Sequence, residues 1–214
     1  MSAKPLLDAL FEADRKLREA EAAVLSYPKS EPEADALARE FERAADQAFG
    51  LSDAAEASAR LARIADLCAQ AQGPRSADTL LRILNHPAPE VRVAAGEALR
   101  DFAYDRYAEV ARAIERAIEQ KLSGPALAEV PWILAEIGEP SALPLIGRML
   151  KHPDVEVVAS AIEALAELDD PAGAELLGPY VKDRRVVQLE EDDAGYTTTI
   201  GELASEALGE LSGR

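Results

Sequence analysis

The sequence predicts an all-α chain, an α-solenoid of about five helical hairpins with a short β-hairpin inserted near its C-terminal end. Three observations carry that expectation. Residues 140–168 read as two amphipathic helices. The first holds Leu143, Leu145, Ile146, Met149 and Leu150 on one face, and the second holds Val157, Ala161, Ala164, Leu165 and Leu168. Between them stands Lys151-His152-Pro153-Asp154, where proline lacks the amide a helix interior needs and biases its predecessor out of the helix. The same unit recurs 66 residues earlier, with His86-Pro87 for His152-Pro153, Val91 for Val157, Ala95 for Ala161 and Leu99 for Leu165. Degenerate copies place Leu134 and Ile137, then Ala204, Ala207, Leu208 and Leu211, on the same positions. Hairpins repeating at about this period cannot bury their apolar faces alone and must stack. Composition agrees: aromatics are 5% of the chain against 48% hydrophobic residues overall, which suits close helix packing and argues against a sandwich or barrel.

The elements follow in order. Residues 5–26 form a helix with Leu6, Leu10, Ala13, Leu17, Ala20 and Val24 in one stripe and Leu7 and Leu25 at its edge. Ser30-Glu31-Pro32-Glu33 reads as a capping box opening a helix that runs to Gly50. Leu51-Ser52-Asp53 starts another, carrying Leu61, Ile64 and Leu67 and closing near Gly73-Pro74. Residues 1–75 are thus expected to be irregular capping helices and 76–211 the recognisable repeats, together one domain over 1–214. Within the repeats the spacing pairs 77–85 with 89–102, 107–122 with 125–137, 140–151 with 154–168, and 171–181 with 200–211. Pro131 lies inside one of these helices and should kink it. Residues 185–199 interrupt the last pair with β-branched and turn character, and read as a β-hairpin that either covers the end of the stack or contacts a partner.

HPAPEVRVAAGEAL, HPDVEVVASAIEAL and DPAG resemble bacterial HEAT repeats, in particular the short HEAT-like type first associated with phycobilisome lyases, over roughly residues 76–211. The resemblance implies a binding scaffold whose second helices line a concave groove. It departs from the pattern at one position: the arginine expected after the first valine of the second helix is Arg92 in one copy but Val158 in a later one.

Charge is the strongest compositional signal, with 40 acidic against 23 basic side chains and a net charge of −17. The imbalance is concentrated in residues 122–214, which hold 18 acidic and 6 basic residues. Such a field repels nucleic acid and anionic lipid and steers basic partners inward. On the second helices the solvent-facing positions form acidic ladders. Glu97, Trp132, Glu163 and Glu206 make one, and Asp101, Glu136, Glu167 and Glu210 the next. Glu90, Glu129, Glu156 and Glu202 extend the edge. Arg112, Arg116, Arg148, Lys151 and Lys182 fall mostly on first helices. The ladders are either a solvated helix face or a groove for a basic protein or peptide, with Trp132 as aromatic anchor.

Chemistry has less to stand on. His86 and His152 occupy equivalent turns, as structural residues do, and no nucleophile motif, phosphate loop or cysteine cluster occurs. Glu190-Glu191-Asp192-Asp193 lacks the ligand alternation of a calcium loop. Cys68, the single cysteine, sits at helical spacing from Leu61 and Ile64, as a core residue would. Neither a signal peptide nor a membrane span is apparent, so a cytoplasmic protein is expected. The functional expectation is a non-enzymatic scaffold or inhibitor, without cofactor or metal, that captures a basic protein through its acidic concave face, an immunity or antitoxin-like protein being one case. A bilin lyase or chaperone-like factor is the alternative and would need an apolar cleft. A nucleic-acid-processing protein of HEAT-like form would need a basic groove.

Overall fold

The computed structural model describes residues 3–71, 73–191 and 194–212. Three helices open the chain: α1 (Lys4–Ser26), α2 (Glu31–Phe49) and α3 (Ala54–Gln70). The turn into α3 is capped by Asp53, whose carboxylate accepts the amides of Ala55 and Glu56 at 3.0 and 3.1 Å. The cap of α2 differs from the expected box. The Ser30 side chain makes no capping bond, and Glu33 accepts the amide of Lys29 at 2.7 Å, one residue further back.

Then come α4 (Pro74–Leu84), α5 (Pro89–Glu119), α6 (Pro125–Ile137), α7 (Ala142–Met149), α8 (Val155–Glu167), α9 (Ala172–Leu177) and α10 (Ile200–Ser212), with a 3-10 turn at Gly178–Tyr180. α5 spans what the sequence divides into two helices. It breaks at Arg106, whose φ of −140° and ψ of 44° are not helical. The break is pinned from outside. The Arg106 guanidinium donates to the carbonyls of Ala69 and Ala71 at the end of α3 and stacks 4.0 Å over the Phe102 ring. α6 continues through Pro131, which is buried within it.

Counting the two halves of α5 separately gives five hairpins in two layers. α3, the first half of α5, α6, α8 and α10 pack side by side as one layer, and α2, α4, the second half of α5, α7 and α9 form the other. The repeat positions lie between them. Val91, Ala95 and Leu99, and equally Val157, Ala161 and Leu165, are fully buried. Alanines on the second helices, such as Ala161, Ala164 and Ala204, let neighbouring backbones approach closely. This is an α-solenoid, as the periodicity predicts.

Turns are fastened between repeats. The His86 Nδ1 accepts the amide of Ala88 at 3.1 Å and the His152 Nδ1 that of Asp154 at 3.2 Å, so the two histidines do the same structural work. Asn85 reaches the next hairpin, donating to the Ser123 carbonyl at 3.2 Å and accepting the Ala126 amide at 3.3 Å. Gly124 fits beneath it with a φ of +106°, where a side chain would meet the Asn85 oxygen at 2.6 Å.

The insertion is a two-stranded antiparallel hairpin, β1 (Val186–Glu191) and β2 (Ala194–Thr199), with Val187 opposite Thr198 and Leu189 opposite Tyr196. Its tip, Asp192-Asp193, lies outside the described residues. Val187 is buried and β1 lies against α8, so the hairpin is seated on the last repeats.

Candidate protein-binding face

The second-helix layer presents the ladders to solvent. Glu97, Asp101, Glu129, Glu136, Glu156, Glu167, Glu202, Glu206 and Glu210 are all exposed, and Glu163 is half-buried. They do not form one uniform face, because some are already engaged. On the α5 side, Glu136 pairs with Arg100 at 2.6 Å and Glu129 lies 3.7 Å from Arg92, two arginines that the second helices themselves supply. Glu90 accepts the Ser58 hydroxyl at 3.2 Å.

Glu202 is committed to its own helix. Its carboxylate accepts the Thr199 amide and hydroxyl, both at 2.9 Å, while Thr199 Oγ1 accepts the Glu202 amide at 3.2 Å. This reciprocal pair is the capping box that starts α10, and its bonds hold the Glu202 carboxyl below the usual carboxylate range. The spacing Thr199-x-x-Glu202 was the sequence signal for it.

The remaining carboxylates converge at the other end. Glu163 and Glu167 from α8, Glu206 and Glu210 from α10, and Trp132 from α6 line one depression of about 300 Å³. Tyr196 from β2 closes its side and Ile162, Ala166, Leu203 and Ala207 form its apolar floor. The repeat explains the geometry. Glu163 and Glu206 hold equivalent positions on adjacent helices, as do Glu167 and Glu210, and Trp132 holds the Glu163 position one helix earlier. Trp132 is 43% exposed. Among the described residues none of these four carboxylates has an ion pair with a cationic side chain.

The electrostatics follow from crowding. Burial pushes the Glu163 carboxyl above its ordinary range, and Glu206 adds to the shift. A cation entering here would gain Coulomb energy from four carboxylates and a π-face from Trp132. Glu156 lies on the far side of Tyr196, in a second depression with Gln188, Leu189 and Thr197. Glu97 and Asp101 on α5 take no part in either. Tyr196 was missing from the ladders because it sits on the insertion, where no repeat position predicts a contact with α8 and α10.

Two other hollows hold ion pairs of their own. One, about 640 Å³ between α2 and α5, contains Arg75 paired with Asp35 at 2.9 Å and Arg106 bound to carbonyls. Another, about 430 Å³, has Arg116 on Asp78 at 2.8 Å and Arg82 over the Phe49 ring at 4.9 Å. Among the described residues no group of histidine, cysteine or acidic side chains is arranged to hold a metal ion. No described helix is long and apolar enough to cross a membrane.

Residues 123–190 match the HEAT repeats family, a stretch running from the turn before α6 into β1. The class that the fold defines is a helical-repeat protein whose residues 123–190 are similar to HEAT repeats, and Trp132, Glu163 and Glu167 lie within the matched segment. No curated protein matches the chain. Among solved structures, similarity extends to crystal structures of engineered proteins from the Northeast Structural Genomics Consortium. One is 17% identical with a TM-score of 0.36, covering 91% of this chain and 97% of that one. Another is 16% identical with a TM-score of 0.37, covering 91% and 98%.

Proposed function

We propose that this helical-repeat scaffold is a non-enzymatic binding protein whose acidic face at α6, α8 and α10 captures a basic segment of a protein partner. The observation that supports the reading is the depression where Glu163, Glu167, Glu206 and Glu210 surround Trp132 and Tyr196 with no cationic side chain among the described residues paired to those carboxylates. A lysine or arginine side chain inserted there finds carboxylates at its charged end, an aromatic face beside its stem and an apolar floor beneath. Glu129 and Glu136 on α6 are paired with Arg92 and Arg100, whereas Glu163, Glu167, Glu206 and Glu210 have no ion pair among the described residues and converge with Trp132 in one depression, which makes the α8–α10 end the favoured place for a partner. Inhibition of a basic effector, in the manner of an immunity protein or antitoxin, is one use of such a face. A bilin-handling role has less support, because the depression is rimmed by carboxylates.

The test is calorimetric titration of the chain with a lysine- and arginine-rich protein at low and moderate salt. Binding should weaken by at least about tenfold, or ~1.4 kcal/mol, on Glu163→Lys with Glu206→Lys. The distant reversal Glu97→Lys should leave it nearly unchanged. Equal loss in both variants would mean that net charge alone attracts basic proteins, and the localised site would be withdrawn.

A further inference from the structure

We propose that α1 is a self-association helix, pairing antiparallel with α1 of a second copy. The inference is independent of the acidic face and rests on a different part of the molecule. α1 buries none of its residues. Its C-terminal turns hold it to the body, through Glu21 on Arg63 at 2.7 Å and Val24 against the core. The preceding turns carry Leu6, Leu10, Ala13 and Leu17 at alternating spacings of four and three, with Leu7 and Phe11 beside them. Leu6 is 76% exposed, Phe11 64% and Leu10 60%.

A 4-3 alternation averages 3.5 residues, the period that keeps an apolar seam facing a partner helix. Area supports a second copy as the occupant. The exposed apolar side chains of this segment present roughly 600 Å² per copy, so two would remove on the order of 1,200 Å², the lower bound of a specific interface.

Charge supports it too. α1 has four basic and five acidic residues, a net of −1, whereas the rest of the chain carries −16. Its charges are largely paired along the helix, Arg15 with Glu12 and Glu19 and Arg18 with Asp14, at 2.5–2.8 Å. Two such helices repel little, and the acidic bodies behind them oppose an anionic lipid surface.

The bodies also set the orientation. Parallel pairing would bring two bodies of −16 together at the same end, whereas antiparallel pairing holds them at opposite ends. Because Val24 is used against the core, the free seam spans Leu6 to Leu17. Its antiparallel register sets Leu6 against Leu17 of the second copy and Leu10 against Ala13, a large residue meeting a small one in the central layers.

Sedimentation equilibrium of the full chain tests this. The wild type should approach twice its 22.9 kDa mass as concentration rises through the micromolar range, and more readily at higher salt, which screens the bodies. Leu10→Glu with Leu17→Glu should remain at 22.9 kDa with unchanged thermal unfolding, since neither side chain is buried in the monomer. Mixing Leu10→Cys with Ala13→Cys should give the mixed disulfide in preference to either symmetric one. A wild type that stays monomeric, or a double variant that still dimerises, would overturn the proposal. So would a monomer that co-floats with phosphatidylcholine vesicles, which would make lipid the occupant. Preferential symmetric disulfides would overturn the antiparallel register.

Discussion

Arg185 donates from Nη1 to the carbonyl of His152 at 3.4 Å, as Arg92 does to the carbonyl of His86 at the same distance. The two histidines are equivalent in the repeat, but the two arginines are not. Arg92 belongs to the second helix of its own hairpin, and its place is taken by Val158 in the later copy, where the residue is buried. The inserted segment supplies the missing guanidinium from outside and holds it with Asp183, whose carboxylate lies 2.7 Å from Nη2. What looked in the sequence like a lost stacking residue is a substitution in space. It fastens β1, and with it Tyr196, beside the acidic depression.

That anchor can be cut. Arg185→Ala should lower stability by about 1–2 kcal/mol, the range for hydrogen bonds to a charged group reduced by the partial exposure of the Arg185 side chain, and accelerate amide exchange in β1 and β2 before the helices. Arg184→Ala, at an exposed neighbouring position, should do neither. Urea unfolding with exchange mass spectrometry reads both quantities.

Gly124 should tolerate no side chain. Gly124→Ala places a methyl 2.6 Å from the Asn85 oxygen at a φ of +106°, and the expected cost is about 1–3 kcal/mol. Asn85→Ala should lose part of the same stability by breaking the link between hairpins. The double variant should cost less than the sum, because removing Asn85 makes room for the methyl.

Glu163 predicts a pH dependence of defined sign. Its carboxyl is raised in the folded chain by burial and by Glu206, so the folded state holds that proton more tightly than the unfolded one. The contribution is fully present below the unfolded carboxylate range and is lost as pH rises through the folded value. Glu163→Gln should therefore unfold at higher temperature than wild type at neutral pH, with the gap closing in acid. Scanning calorimetry from pH 4 to pH 7 checks it, and a gap that widens in acid would contradict the assignment.

Cys68 is fully buried in α3, and burial pushes its thiol up to about 12. It should resist thiol reagents at pH 8 in the folded chain and react on unfolding, with a rate that follows global opening. Prompt labelling under native conditions would contradict its burial.

Much of the fold was legible because the repeat writes the same burial pattern several times. Val91 and Val157, or Ala95 and Ala161, report the core twice. The insertion was legible from Val186-Val187 and the threonine run, which break helical periodicity. Features tied to single contacts were not. Periodicity marks α1 as amphipathic but cannot say whether its stripe meets anything, and in the structure it meets almost nothing. Spacing offered a capping box at Ser30, which does not form, while the one that forms, at Thr199, went unread inside the insertion. The break at Arg106 depends on carbonyls of α3 that are distant in sequence. The acidic ladders were read as continuous because position alone does not reveal that Arg92 and Arg100 reach Glu129 and Glu136. The depression at α8 and α10 gathers four carboxylates outside those pairings, together with Tyr196 from outside the repeat.

Trp132 is the chain's single tryptophan and lies in that depression, so its emission reports on the proposed site directly. The most direct measurement is a fluorescence titration with a short lysine- and arginine-rich peptide at low salt. A saturable change in Trp132 emission that weakens with added salt and vanishes in Glu163→Lys with Glu206→Lys is the predicted result. Peptide binding with no change at Trp132, or with the same change in the charge-reversed variant, would contradict it and leave the stripe a solvated helix face.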